Sequence, residues 1–254
     1  MECNSCLSDR LFEIASKIHG KRIARIKVDG TAYWIKYREE IKSLRHKALK
    51  GNASESFERE VIMLDNFSKL GVPVPKIMAR SKSFVVLSDQ GQDLTHVLEV
   101  KKNSETVLRS VGQAIASLHA HGLSHGRPCL RDICWDGQKI TFLDLEAGAS
   151  LNATPHRQAR DILLFLHSLL TEYPLIGNQA FLFLDEYAKT DEKNIIPKAM
   201  TLANRLILLE WIVAPIVWRH KKRNKPKSEF FAIAATRTAL RRYKASTNIN
   251  PPNS

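Results

Sequence analysis

Residues Ile23 to Tyr37, IARIKVDGTAYWIKY, leave the chain little conformational choice. Two β-rich runs flank Asp29-Gly30. A two-residue hairpin demands positive φ at both central positions, and this dipeptide takes it at low cost. The stretch therefore predicts two antiparallel strands early in the chain. A hairpin needs a third strand or a covering helix to be stable in water. Ser54 to Leu70 supplies a helix: Phe57, Val61, Leu64 and Phe67 recur at spacings of four, three and three, which is one helical face. Ser54 or Ser56 is the expected cap, and Gly71 the expected stop. Val72-Pro-Val-Pro75 continues in extended form, since a residue before proline is driven out of the α region. Phe84 to Leu87 reads as a further short strand.

Beyond residue 90 the pattern changes to helices. Asp89 to Asp93 reads as a loop, with a helix starting at Leu94. Thr106 to His121 places Val107, Val111, Ile115 and Leu118 in helical register, and Gly122 ends it. Short strands at Ile133–Trp135 and Ile140–Leu143 flank a turn at Asp136-Gly137. Helices follow at Arg157–Leu170, Asn178–Lys189 and Lys198–Val213. The result is an α+β chain with two lobes. The expected divisions are a strand-rich lobe at 1–90, a helical lobe at 91–218, and a basic helix and tail at 219–254.

The 39 Lys and Arg outnumber the 26 Asp and Glu by 13. That excess favours anionic partners: a nucleic acid, a lipid surface or a phosphorylated substrate. The apolar fraction is ordinary for a globular protein, which excludes wholesale disorder. MECNSCLSDR lacks the apolar core of a signal peptide, and the longest apolar run, LILLEWIVAPIVW, is broken by Glu210 and Pro215. The expected location is cytoplasmic. The four cysteines form no secreted disulfide framework. Cys3-x-x-Cys6 is half a zinc site with no second half following.

Four features occur in an order that carries chemistry. Lys36 lies in the strand YWIKY. Glu60 lies on the next helix, in FEREVIML. His125-Gly126 opens a loop after a long helix, in HGRPCLRD. Asp144 ends the apolar strand in FLDLE. Phosphoryl transfer from ATP needs a strand lysine for the phosphates, a helix glutamate to hold that lysine, a loop acid and a strand-end aspartate for magnesium. On these residues, together with RQARD, the chain resembles the protein-kinase-like superfamily over roughly residues 10 to 215. The similarity is to its compact atypical bacterial branch: lipopolysaccharide core (Kdo/heptose) kinases and the RIO and KEOPS-associated kinases.

The resemblance implies a bilobal kinase-like fold with ATP and magnesium as cofactors. It implies roles for Lys36 on the phosphates, Glu60 (or Glu58) as its partner, and Asp144 on magnesium. Asp161, in RQARD, would brace the catalytic loop. Ser88 to Gln92, with Asp89, would be the hinge under the adenine. The nucleotide-covering turn is reduced to Gly20, in His19-Gly20-Lys21-Arg22, where the family carries several glycines. Asp-Leu-Glu stands where the family has Asp-Phe-Gly, so Glu146 replaces a flexible glycine.

The catalytic loop admits two registers. In the first, His125-Gly126 matches the family pattern, Arg127 falls where the catalytic acid belongs, and Asp132 replaces the magnesium-binding asparagine twelve residues before Asp144. In the second, Arg131-Asp132 is the Arg-Asp pair and Asp132 is the base. In the first register Asp132 and Asp144 are the metal ligands, and Arg127 cannot accept a proton because guanidinium stays charged. Arg127 then binds a phosphate or a phosphorylated substrate, or else marks a pseudokinase that binds nucleotide without turnover. The acceptor implied is a lipopolysaccharide core sugar or a protein Ser/Thr.

From Arg219 to Lys244 there are ten Lys and Arg against Glu229 alone. FFAIAATRTALRRY reads as an amphipathic helix. Basic residues beside aromatic ones suit an anionic membrane face, where a lipid-linked sugar would be met, and suit RNA less well. A helix packed on the second lobe is the plainer alternative. The sequence does not set the oligomeric state.

Overall fold

The computed structural model describes residues 4–18, 22–38, 53–100, 104–145, 148–174, 179–205, 207, 211–212, 214–215, 218–219 and 229–247. The architecture is the α+β, kinase-like one expected, with a small strand-rich part and a larger helical part. The chain divides into two compact units. The first comprises Met1–Gly91 and Thr141–Glu146, the second Gln92–Ile140 and Ala147–Ser254.

The first unit is a three-layer stack. Helix α1 (Asn4–Lys17) precedes strands β1 (Ile23–Val28) and β2 (Thr31–Tyr37). Helix α2 (Ala53–Lys69) and strands β3 (Ile77–Arg80) and β4 (Phe84–Ser88) follow. The sheet is antiparallel in the order β1-β2-β4-β3. Asp29 (φ 49°) and Gly30 (φ 80°) are both left-handed, so the β1–β2 turn is the mirror-image type the dipeptide predicts.

Strand alternation decides which face each residue joins. Ile35 and Val86 pair across the sheet and join Leu11 and Ala15 of α1 in one core. Val85 lies on the opposite face, with Phe57 and Val61 of α2 packed on it. Lys36 pairs with Val85, so it shares the α2 face.

Helix α1 was not anticipated, yet Leu7, Leu11, Ile14 and Ile18 recur at helical spacing and pack on the sheet. Ser54 and Ser56 lie inside α2, so neither is its cap. The C-terminal stop is as expected. Gly71 is left-handed (φ 76°), and the amides of Val72 and Gly71 donate back to the carbonyls of Phe67 and Ser68.

The second unit starts with β5 (Gln92–Asp93), which pairs with β6 (Ile133–Trp135) where the sequence suggested only loop. Helix α3 (Leu94–Glu99) is capped by Asp93, whose carboxylate accepts from the amides of Thr95 and His96. Helix α4 (Ser104–Ala120) and a 3₁₀ turn (Leu130–Asp132) precede β6. Helices α5 (Pro155–Glu172), α6 (Gln179–Ala188), α7 (Ile195–Arg205) and α8 (Glu229–Thr247) complete it. Gly112 lets α4 approach α6 closely: a Cβ there would lie 2.4 Å from the Phe183 carbonyl oxygen.

The apolar face of α8 is turned to protein. Ala232 and Ala239 pack with Leu170 of α5, and Tyr243 meets Phe181 of α6. The amphipathic helix read from FFAIAATRTALRRY is therefore part of the core of this unit. Strand β7 (Ile140–Phe142) carries the chain back into the first unit. There the Phe142 amide donates to Pro73 and the Thr141 hydroxyl to Gln90.

Candidate active site

In the first unit, three residues far apart in sequence meet. Lys36 Nζ lies 2.5 Å from Glu60 Oε2 and 3.5 Å from Asp144 Oδ1. The fold explains the meeting. Lys36 faces α2 because Ile35 faces α1. Glu60 follows Phe57 by three residues and precedes Leu64 by four, so it lies on the helix face turned to the sheet. Glu58 is exposed. The Lys36 and Glu60 side chains are 15% and 4% exposed, so this is a largely buried ion pair with Glu60 its deeper member. Such a pair adds little net stability but fixes position, and removing one partner leaves the other charge stranded.

Asp144 is one of three non-glycine residues with left-handed backbone among the described residues (φ 54°). That conformation costs about 1 kcal/mol, and such strain concentrates where a side chain must be aimed. Leu145, fully buried, anchors the strained residue on one side, and the ion pair to Lys36 anchors its side chain.

Asp89 is engaged with its own unit. Its carboxylate accepts from Arg25 Nη2 at 2.6 Å and Trp34 Nε1 at 3.2 Å, and the Gly91 amide donates to it at 3.3 Å. Burial pushes this carboxyl up, but the Arg25 and Trp34 hydrogen bonds outweigh it and the net direction is down. Ser88 accepts at its side chain from the Lys76 amide and from Gln90. Gly20 and Glu146 lie outside the described residues.

In the second unit the loop after α4 is held by one buried acid. Asp161, fully buried on α5, accepts from the amides of His125 (2.7 Å) and Gly126 (2.9 Å) and from His119 Nε2 (3.2 Å). Gly126 is left-handed (φ 92°), so the loop needs glycine at this position. Tyr187 of α6 completes the network at His119 Nδ1, 2.7 Å away. Burial, reinforced by the charges of Asp191 and Asp161, pushes the Tyr187 phenol far up, so its hydroxyl stays a donor. Tyr187 donates to Nδ1, and Nε2 donates to Asp161. Gln158 adds bonds to the carbonyls of His119 and Leu123.

His119 and Tyr187 were not singled out from the sequence. Their one sequence-level signal is that His119 sits in the apolar register of α4, where an unpartnered imidazole would be costly.

Arg127 follows directly. Its guanidinium Nη2 lies 4.0 Å from Asp132 Oδ2, with the Arg127 side chain half-exposed and Asp132 buried in the 3₁₀ turn. Cys129 lies between them in sequence. Burial and then the Asp132 charge push its thiol up, against the opposing pull of Arg127 and Arg131. It is therefore a poor nucleophile.

The strand lysine held by a helix glutamate and the braced His-Gly loop define a protein-kinase-like protein. The model of the lipopolysaccharide kinase (Kdo/WaaP) family matches residues 19–187, and the chain belongs to that family of kinase-fold phosphotransferases. It is also similar to an uncharacterized protein of Haemophilus influenzae, 32% identical over 176 residues, covering 68% of this chain and 72% of the relative. No helix among the described residues is long and apolar enough to cross a membrane.

Proposed function

We propose that this protein uses ATP and magnesium to phosphorylate a hydroxyl of a lipid-linked lipopolysaccharide core sugar, at the cytoplasmic face of an anionic membrane. The observation that carries the reading is the position of Lys36 Nζ, 2.5 Å from Glu60 and 3.5 Å from Asp144. A lysine restrained by one acid beside a second acid suits the phosphates of a nucleotide and a hard cation together. Bound ATP supplies the phosphoryl group, and bound magnesium offsets the charge of its phosphates. Asp144 and Asp132 are the protein's metal ligands in this reading. Among the described residues no cluster of three or more His, Cys, Asp and Glu forms. Magnesium usually takes only one or two carboxylates from the protein and fills the rest with water and phosphate.

The work of the chain is electrostatic and positional. Lys36 places positive charge on the phosphates, and Glu60 keeps it there. The Asp161 network holds His125 and Gly126, and through them the start of the loop that carries Arg127. Arg127 offers donors and no acceptor. Its role is to hold an anionic group of the acceptor or of the transferring phosphoryl. A transition state of loose character needs little help from a base, so turnover at a reduced rate is compatible with an arginine here.

One observation favours a second reading. Arg127 pairs loosely with Asp132 at 4.0 Å, which would neutralise a metal ligand as well as replace the base. A pseudokinase would bind nucleotide and stop there.

The experiment measures magnesium-dependent ATP binding and ATP consumption, with core oligosaccharide or casein as acceptor, for wild type, Asp144→Ala and Arg127→Asp. Turnover by wild type on the oligosaccharide, abolished in Asp144→Ala, is the expected result. Binding without turnover, with turnover gained in Arg127→Asp, selects the pseudokinase. Phosphate on casein alone makes the acceptor protein Ser/Thr. Absence of nucleotide binding overturns both.

A further inference from the structure

Two of the exposed large apolar side chains among the described residues lie on strands: Ile23, 52% exposed, and Trp34, 37% exposed. Both belong to the sheet face that carries Lys36. Residues paired across antiparallel strands share a face, and so do residues two apart on one strand. Ile23 pairs with Lys36, and Arg25 with Trp34. On the other flank of β2, Lys36 pairs with Val85 and Trp34 with Leu87. Helix α2 covers this face at Val85, with Ile77 and Leu87 packed against the same cluster. The exposed apolar row is therefore the part of the Lys36 face toward β1.

The indole of Trp34 is held in one orientation. Its Nε1–H donates to Asp89 Oδ1 at 3.2 Å. Arg25 Nη2 donates to the other oxygen of that carboxylate at 2.6 Å, and the Arg25 guanidinium carbon lies 5.8 Å from the indole centroid. The Gly91 amide donates to Oδ1 at 3.3 Å, which ties the carboxylate to its own loop. Groups from β1, β2 and the loop after β4 thus brace a flat apolar ring that stays partly open to solvent. A ring fixed in this way has already lost its rotamer freedom on folding, so it is preorganised to receive a second flat group.

Position says which flat group it receives. Trp34 and Lys36 are two residues apart on a strand, so their backbone positions are about 7 Å apart. With nucleotide phosphates at Lys36, the ribose spans that interval and the base arrives at Trp34. A sugar ring of the acceptor could also lie on an indole, but its hydroxyls need hydrogen-bond partners. The carboxylate beside the indole already accepts three donors.

We infer that Trp34 is the stacking surface for the nucleobase, with Arg25 and Asp89 as positioning residues that hold the indole in place. The inference rests on the proposal that Lys36 meets nucleotide phosphates, and deepens it by naming what recognises the other end of the nucleotide. It gives Asp89 an indirect role: the carboxylate holds the indole and not the base.

The test compares magnesium-ADP with magnesium tripolyphosphate, which carries the charge without a base, by titration calorimetry on the full chain. Trp34→Ala is expected to bind ADP at least about fivefold more weakly, with tripolyphosphate affinity kept within about twofold. Trp34→Phe keeps a ring but loses the bond to Asp89, and is expected to recover most of the ADP affinity; a merely structural role for the indole predicts no such split between ligands. In wild type, ADP should quench tryptophan emission and tripolyphosphate should not, and Trp34→Phe should lack the ADP quench. That emission arm decides the matter should Trp34→Ala fail to fold. Equal ADP affinity in wild type and Trp34→Ala, or an ADP quench that persists in Trp34→Phe, overturns the inference and leaves the reading of Lys36 standing. Equal losses for both ligands overturn it as well, and so does loss of core-oligosaccharide binding with ADP binding intact, which makes the indole an acceptor contact. Failure of wild type to bind either ligand brings down the nucleotide reading itself.

Discussion

Replacing Asp161 with asparagine keeps the side-chain shape and removes one acceptor, which makes it a sharp probe of the loop. In the native protein Oδ2 accepts from the His125 amide and His119 Nε2, and Oδ1 accepts from the Gly126 amide. Asparagine offers a carbonyl oxygen on one side only. If that oxygen faces His125 and His119, the new amide group points its protons at the Gly126 N–H. If it is flipped, it faces the His125 N–H instead. Either way one backbone donor loses its acceptor in a fully buried place. An unsatisfied buried donor costs about 1–3 kcal/mol, and the surviving bonds lose their charge assistance, worth about another 1 kcal/mol. The expected loss of stability is thus about 2–4 kcal/mol. Urea unfolding followed by far-ultraviolet dichroism reads the total. Amide hydrogen exchange reads the location, with faster exchange expected at His125 and Gly126. A loss below about 1 kcal/mol, or unchanged exchange at those two amides, refutes the claim that Asp161 holds the loop.

Three further outcomes follow from the same geometry. Glu60→Ala removes the shorter of the Lys36 contacts to Glu60 and Asp144, so it should destabilise by about 2–4 kcal/mol in urea and weaken magnesium-ATP binding in titration calorimetry. Gly112→Ala drives a methyl group to 2.4 Å from the Phe183 carbonyl, so α4 and α6 must separate; a loss of about 1–3 kcal/mol in the same urea assay is expected. Asp89 is the pH-dependent case. Its folded pKa lies below the ordinary carboxylate value, so its stabilisation is present above the unfolded pKa and fades as pH falls through the folded one. The difference in thermal midpoint between wild type and Asp89→Asn should therefore be present at neutral pH and shrink below about pH 4.

Legibility from sequence tracked how local the determining interactions are. The β1–β2 hairpin follows from two adjacent residues that tolerate positive φ, and helices α2, α4 and α5 from strict periodicity. Helix α1 carries the same periodicity at Leu7, Leu11, Ile14 and Ile18. It was missed because it begins among polar residues at the chain start. Strands β3 and β5 are too short for a period of two to register, and they form because β4 and β6 pair with them. Lys36, Glu60 and Asp144 were legible as an ordered set. The orientation that joins Lys36 to Glu60 rests on Ile35 packing under α1, which the sequence reading did not contain. Asp89 illustrates the opposite limit. Its carboxylate is held by Arg25 and Trp34, 64 and 55 residues away in sequence, which nothing local foretells. The His119–Tyr187 contact spans 68 residues, and its one local trace is the place of His119 in the apolar register of α4.

The return of Thr141–Glu146 to the first unit has a bearing on how the molecule is made. A ribosome delivers residues 1–91 first, and those contain both helices and all four strands of the three-layer stack. They lack the partner for the Pro73 carbonyl, the hydroxyl that bonds Gln90, and the buried side chains of Phe142 and Leu145. They also lack Asp144, whose carboxylate lies 3.5 Å from Lys36 Nζ. The nascent small unit therefore waits, incomplete, until synthesis has passed through α3, α4 and the loop carrying Arg127. Closure around Lys36 is in this way coupled to synthesis of the loop from His125 to Asp132, and a release fragment ending near residue 91 would carry Lys36 without the Asp144 contact.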